Sequence, residues 1–261
     1  VSVICKICGC TSFGIFTIKV LRKFDVDYYK CGKCGFIQTQ EPFWLEEAYS
    51  SAITSLDIGL IYRNLQNKPI VETTIKYLFD RRKKFIDYGG GYGMFVRIMR
   101  DAGLNYYRQD IYCENIFAKR FDVSDLKENG EKFELLTAFE VFEHLLDPIE
   151  EFKKMLSYSD SIFFTTSIYP TSTDLTKWWY LIPETGQHIS LYSEESLIYL
   201  ATMFGMCYYR HNDFHLITKA KFPKSKFERI FNNFFRIVYN RFNKMESLLQ
   251  KDFNEISGIK M

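Results

Sequence analysis

The 261-residue chain contains no run of about 18 apolar residues, the length that a membrane-spanning helix needs, so no transmembrane segment is predicted. Its N-terminus lacks the basic-then-apolar pattern of a secretory signal, which makes a cytoplasmic location the expectation. It also lacks an excess of either charge. With 34 Lys and Arg against 32 Asp and Glu, the formal +2 argues against a chain that binds nucleic acid over its whole surface. No internal repeat or low-complexity tract is present. The apolar fraction, 47%, is ordinary for a packed globular protein, and the length suffices for one full domain with a small appendage. Aromatic residues are plentiful at 18%, but codon bias alone can produce that richness, so it carries no functional weight.

Seven cysteines are an odd number, and without a secretory feature they do not suggest a disulfide framework. Four of them form two turns, Cys5-Lys-Ile-Cys8-Gly and Cys31-Gly-Lys-Cys34-Gly, with 22 residues between the turns. Each C-x-x-C turn presents two thiolates from one bend, and two such turns complete a tetrahedral zinc site. Disulfides and rubredoxin-like iron are the competing readings. Residues 15–20 and 25–30 alternate enough to be two strands of a zinc ribbon over 1–45. So short a module cannot build a core by itself, and the metal is expected to supply its folding energy. Cys10 breaks the paired spacing, and Cys113 and Cys207 are expected to be structural thiols.

After a linker over 46–68 and a helix expected over 69–79, the chain reads Phe85-Ile-Asp-Tyr-Gly-Gly-Gly-Tyr-Gly93. A short buried strand would break at the glycines, and the apolar spacing over 94–102 continues as a helix. Gly89, Gly91 and Gly93 let a ligand approach the backbone without meeting a Cβ. A dinucleotide loop reads G-x-G-x-x-G, whereas here Asp87 precedes an alternating glycine series. A carboxylate at the strand end repels phosphate and suits an ammonium group. The pattern resembles motif I of the class I S-adenosylmethionine-dependent methyltransferases. The resemblance implies an α/β, Rossmann-like sheet, mostly parallel with a terminal antiparallel hairpin, over 69–219. It further implies that Asp87, Gly89, Gly91 and Gly93 form the cofactor loop and Asp110 accepts from the ribose hydroxyls. Asp122 and Phe139, at the ends of the next strands, would flank adenine and methionine.

Further along, a weak strand is predicted near 118–123, a polar turn over 127–131, and strands over 133–138 and 161–167. Asp147-Pro148 opens one helix and Ser193-Glu-Glu-Ser196 another, which Gly205 ends. Segments 206–210 and 214–218 flank a turn and read as a hairpin. Directly after the strand over 133–138 stand Glu140, Glu143 and His144, whose spacing would put all three on one face of a helical turn. The Glu-x-x-Glu-His pattern resembles the post-strand motif of ubiquinone-pathway O-methyltransferases and small-RNA 2′-O-methyltransferases. In the latter it binds a divalent ion. Carried over, Glu140, Glu143, His144 and the later His188 would hold Mg²⁺ or Mn²⁺; alternatively His144 or His188 is a direct general base. Trp178 and Trp179 are open to two readings, stacking on a sugar ring or anchoring a loop.

Together, the cysteine pairs, motif I, the Glu-x-x-Glu-His motif and Gly186-Gln-His-Ile-Ser190 resemble methyltransferases of sugar and surface-glycan biosynthesis. That resemblance implies a sugar-nucleotide or glycan hydroxyl as acceptor, in surface-polysaccharide or secondary-metabolite biosynthesis. Deoxysugar C-methyltransferases share the zinc module but extend into a further C-terminal domain that this chain does not match. An RNA methyltransferase and a non-catalytic cofactor-binding subunit are the alternatives; nucleic acid is not the expected partner. Over 220–261 the chain carries a helical extension with apolar residues at three- and four-residue steps, expected as one helix, kinked or split. Residues 219–261 hold 10 Lys and Arg against 4 Asp and Glu. Such a helix must bury its face on its own domain, on a second copy as a homodimer, or in an anionic membrane interface as a weak peripheral contact.

Overall fold

The computed structural model describes residues 2–50, 56–126 and 131–258, so the polar turn expected over 127–131 falls almost wholly outside the described residues. The first strands and helices are β1 (Ser2–Ile4), β2 (Thr11–Val20), β3 (Phe24–Cys31), β4 (Ile37–Thr39), α1 (Leu45–Ala48) and α2 (Leu60–Leu78). Then come β5 (Lys84–Tyr88), α3 (Met94–Asp101), β6 (Asn105–Gln109), β7 (Leu135–Phe139), α4 (Pro148–Tyr158) and β8 (Ser161–Thr165). The chain continues through β9 (Ser190–Leu191), α5 (Glu194–Met203), β10 (Cys207–His211) and β11 (Phe214–Thr218). It ends with α6 (Lys224–Arg229), α7 (Asn233–Phe242) and α8 (Leu249–Ser257). Two sheets result, one of order β1-β2-β3-β4-β9 and one of order β10-β11-β8-β7-β5-β6. β5 runs parallel to both β6 and β7, while β10 and β11 form an antiparallel hairpin, the mixed Rossmann-like pattern that the sequence implied.

The chain divides into two compact units. The first comprises Val1–Leu56, Phe139–Lys154 and Phe164–Ala220. Its five-stranded sheet is antiparallel throughout, and its fifth strand, β9, comes from far along the chain: Ile37 pairs with Leu191 and Gln38 with Ser190. The ribbon's apolar face is buried. Val20, Val26, Tyr28, Ile37 and Trp44 pack with Tyr169, Leu181, Ile189 and Leu191 in one cluster. The ribbon therefore does not depend on a metal alone for burial, as the sequence had led us to expect; chain from 169–191 supplies the missing core. Asp147 caps α4 by accepting from the Glu150 amide at 3.1 Å, and Ser193 caps α5 through a reciprocal pair with Ser196.

The second unit comprises Asp57–Ala138, Met155–Phe163 and Lys221–Met261. Strand order reverses about β5, because β6 lies on one side of it and β7 on the other. The loop after β5 thus sits at a topological switch point, where open α/β sheets bind ligands. Two local expectations are corrected here. α2 starts at Leu60 rather than near Pro69, and Pro69 lies inside the helix. It removes one amide from the ladder, while its carbonyl still accepts from Thr73 Oγ1 at 2.8 Å. The strand expected over 118–123 is a single bridge between Arg108 and Asp122, because Asp122 and Asp125 form a capping box that turns the chain into a 3₁₀ turn at Val123–Asp125. The tail is split, as expected, into three helices among the described residues. Asn232 starts α7 afresh by accepting from the Phe235 amide at 2.9 Å, and α8 is drawn against α3 by a buried ion pair between Arg100 and Asp252, 2.6 Å apart.

Candidate functional site

The glycine loop follows β5 directly, and Gly89, Gly91 and Gly93 all adopt positive φ, 67°, 52° and 83°. At Gly93 the crowding is concrete: a Cβ there would lie 2.6 Å from Asn115 Oδ1. Asp87 is buried between two strand neighbours, in register with Arg108 on β6 and Thr137 on β7. The Thr137 hydroxyl donates to its Oδ1 at 2.7 Å. Burial pushes the Asp87 carboxyl from 3.8 to about 7, against the Thr137 bond that lowers it. Asp110 closes the loop: its Oδ2 accepts from the Gly91 amide at 2.9 Å, and its Oδ1 accepts from the amides of Tyr112 and Cys113 at 2.8 and 2.7 Å. A carboxylate has about four lone-pair directions, so about one remains for a ligand.

Sequence reasoning missed Arg108. Its guanidinium is buried in the same unit, with Nε donating to the Gly91 carbonyl at 2.6 Å and Nη1 to Asp122 at 2.7 Å. Its Nη2 donates to the Cys113 carbonyl. Asp122 also accepts from Asn115 Nδ2 at 2.9 Å, so it fixes the far wall of the loop instead of standing free at a strand end. The only signal was an arginine directly after Tyr106 and Tyr107 in a short strand. Thr137, too, was visible only as a polar residue in a buried strand.

Within the first unit the four paired cysteines converge. Cys5 and Cys34 sulfurs lie 3.6 Å apart, Cys8 and Cys31 3.3 Å, and all four fall in one group. Amides of Ile7, Lys33 and Cys34 point at sulfur at 3.4 to 3.5 Å. The bond from Cys34 holds the Cys5 thiol down to about 5, while the same bond pushes Cys34 up. Four sulfurs with amide donors aimed at them fit zinc. Cys10 stays outside the group. The knuckle is clamped to its unit: the Cys34 carbonyl accepts from Ser193 Oγ at 2.8 Å and the Gly35 carbonyl from the Tyr169 hydroxyl at 2.6 Å. No side chain fits at Gly35, whose φ is +73° and whose added Cβ would stand 2.8 Å from Ser193 Oγ.

The same unit gathers Glu143, His144 and His188, whose candidate ligand atoms all lie within 4.8 Å of one another. Glu140 stands outside this group, which corrects the expectation that one helical turn would align all three post-strand residues. The helical turn, a 3₁₀ turn, begins only at Phe142, and Glu140 sits before it at φ +53°. Its carboxylate accepts from Thr165 Oγ1 at 2.7 Å and lies 3.4 Å from the Tyr180 hydroxyl. Glu143 is fully buried. Its Oε2 accepts from Thr166 Oγ1 at 3.1 Å, but its Oε1 has no hydrogen-bond partner among the described residues. Burial and the nearby Glu140 charge push its pKa well above the usual carboxylate range.

Both imidazoles are held neutral, His144 pushed down to about 3 and His188 to about 4, chiefly by burial. His188 Nδ1 lies 2.5 Å from the Tyr180 carbonyl; a carbonyl only accepts, so Nδ1 carries the proton and Nε2 the lone pair. His144 Nδ1 is 3.1 Å from the Tyr49 hydroxyl. β9 brings His188 here, since the Ile189 amide donates to the Glu143 carbonyl at 3.0 Å and Ser190 Oγ to the Leu145 carbonyl at 2.7 Å. An orphaned carboxylate oxygen beside two neutral imidazoles fits a divalent cation, and two nitrogens with one oxygen suit Mn²⁺ better than Mg²⁺. Beside this group the two tryptophans diverge: Trp178 packs against the unit's core and Trp179 is 71% exposed. Phe139 is the last residue of β7, half-buried, immediately before Glu140.

A family model described as a methyltransferase domain matches residues 62–207. A search of curated proteins found no match. Among solved structures, OxaC is 14% identical with a TM-score of 0.39 over 54% of this chain and 44% of its own. The mitomycin 7-O-methyltransferase MmcR is 11% identical at 0.40, over 67% of this chain and 59% of its own. Magnesium protoporphyrin IX methyltransferase from Synechocystis PCC 6803, with bound SAH, is 15% identical at 0.42, over 66% and 90%. The chain thus spans less than two thirds of the first two of these structures.

Proposed function

Because the chain belongs to the methyltransferase-domain family, whose chemistry is S-adenosylmethionine-dependent methyl transfer, we propose that its acceptor is a hydroxyl of a sugar nucleotide or glycan. The observation that carries this reading is the buried Glu143, His144 and His188 group, whose neutral imidazoles offer lone pairs to an acceptor's proton or to a cation. A hydroxyl must lose its proton as the methyl group arrives, and the His188 Nε2 lone pair, oriented by the Tyr180 carbonyl, is a base for it. Exposed Trp179 beside Tyr180 offers a flat apolar face for a pyranose ring. Alternatively, were Glu143, His144 and His188 to hold a divalent ion, the imidazole lone pairs would be ligands instead of bases, and the ion would supply the Lewis acidity that lowers the acceptor's pKa. On the cofactor side, Asp87 would meet the ammonium group and Asp110 the ribose, with Gly89, Gly91 and Gly93 giving backbone access. Glu140 would orient the acceptor through Thr165 and Tyr180. The four cysteines would hold structural zinc.

The test uses methyl-labelled S-adenosylmethionine with a panel of sugar nucleotides, glycans and bulk RNA. Label in a sugar hydroxyl, lost in His188→Ala while S-adenosylhomocysteine still binds, is the expected outcome. Label in RNA instead would overturn the acceptor class. Label in sugars that His188→Ala leaves unchanged would overturn the role of the imidazole.

A further inference from the structure

The closing hairpin carries a histidine that no motif marks. His215, on β11, is fully buried, and both of its ring nitrogens are engaged. Nε2 lies 3.0 Å from the Thr166 carbonyl and Nδ1 2.8 Å from the Tyr208 hydroxyl on β10. A carbonyl only accepts, so Nε2 carries a proton; burial holds the ring neutral, its pKa pushed down to about 3, so Nδ1 accepts from the phenol. The hairpin grips Thr166 at a second point, where the Thr166 amide donates to the Asp213 carbonyl at 3.3 Å. With its amide and its carbonyl both fixed, Thr166 aims its hydroxyl at Glu143 Oε2, 3.1 Å away. The His215 ring also stacks on Phe164, at 4.9 Å and 20°, and Phe164 stacks at 3.7 Å on Phe142, the residue before Glu143.

We propose that His215, with its tautomer set by Tyr208, is a positioning residue for the Glu143, His144 and His188 group. It acts through Thr166. The Thr166 hydroxyl ties down one oxygen of the Glu143 carboxylate, and the other, Oε1, has no hydrogen-bond partner among the described residues. A carboxylate offers a ligand atom at a fixed place only when its second oxygen is held, which is how hydrogen bonds outside a coordination sphere tune the affinity within it. Remove the Nε2 donor, and the buried Thr166 carbonyl has lost its partner, so the backbone that carries the hydroxyl is free to shift. The Phe142–Phe164–His215 stack gives the same ring a second hold on the turn that bears Glu143. This inference rests on the reading of the group as a divalent-cation site and names what aims its one carboxylate.

Titration of the full chain with Mn²⁺, read from the paramagnetic resonance signal of the free ion, tests it. Wild type should bind Mn²⁺ at a site that Glu143→Gln abolishes. His215→Phe keeps a stacking ring without a donor and should weaken that site roughly ten- to a hundredfold, while His215→Gln, whose amide can still donate to the Thr166 carbonyl, should stay within about threefold of wild type. Thr166→Val should weaken the site about as much as His215→Phe, and the double variant no further than either single one, because both changes cut one path. S-adenosylhomocysteine affinity and the unfolding midpoint are the folding controls. Should His215→Phe fail them, Tyr208→Phe replaces it, and an affinity for Mn²⁺ equal to wild type in that variant overturns the proposal. So does His215→Phe within about twofold of wild type, or effects of His215→Phe and Thr166→Val that simply add. No Glu143-dependent binding by wild type would overturn the cation reading itself, and this inference with it.

Discussion

Asp87 is the most informative position to perturb. Its carboxyl is buried, it accepts from Thr137 Oγ1 at 2.7 Å, and burial carries it from 3.8 to about 7. A change of that size corresponds to about 4 kcal/mol between the protonation states. The sign follows from linkage. Below about pH 4 the group is protonated whether the chain is folded or not, and it costs nothing. As pH rises from about 4 to about 7 the unfolded chain releases this proton and the native one keeps it, so the cofactor-free protein loses stability across that window; above about 7 the loss is constant. Asp87→Asn keeps the shape and removes the charge. Urea unfolding at a series of pH values should show the variant gaining on wild type between pH 4 and 7, by up to about 4 kcal/mol, less about 1 to 3 kcal/mol for an amide group left without an acceptor. Cofactor binding should move the other way. An ammonium group placed on Asp87 favours the ionised form, so wild type should release a proton on binding S-adenosylhomocysteine near pH 6, read from calorimetry in buffers of different ionisation enthalpy, while Asp87→Asn loses most of the affinity. A stability difference that is the same at pH 5 and pH 8, or ligand affinity unchanged within twofold, would refute the reasoning.

Three further outcomes are expected. Asp252→Ala leaves Arg100 buried without its carboxylate and should cost about 3 to 5 kcal/mol in chemical denaturation; an effect under about 1 kcal/mol would mean that α8 is not pinned as described. Cys31→Ser should abolish stoichiometric zinc by elemental analysis and lower the unfolding midpoint, and because β4 pairs with β9 it should also reduce transfer; undiminished zinc content would refute the four-sulfur site. On the proposed function, His144→Gln and His188→Ala should each lower kcat by about 10²- to 10⁴-fold with S-adenosylhomocysteine affinity preserved; a loss of cofactor affinity of the same size would show that the unit's folding is what failed.

Wherever a few neighbouring residues decide the geometry, this chain was legible from its sequence. The C-x-x-C-Gly turns, the glycine series after Asp87, the Asp147-Pro148 and Ser193 helix starts and the closing hairpin all depend on chemistry within one turn of chain, and such signals do not need the rest of the fold. Glu143 and His144 were legible for the same reason, as a motif directly after a strand. Longer-range facts were not. Resemblance nominated His188, but it reaches Glu143 because β9 adds itself to the ribbon's sheet beside β4, a pairing between segments about 150 residues apart whose register no local pattern encodes. Glu140 left the group because its backbone turned before the helical turn began. Arg108, a charge in a buried strand, became the brace of the glycine loop only once β6 lay beside β5 and brought Gly91 and Asp122 within reach. The tail's periodicity announced helices and an apolar stripe, yet which face turns outward was decided by Arg100, whose need for a buried partner draws Asp252 in and leaves Leu249 and Phe253 facing solvent.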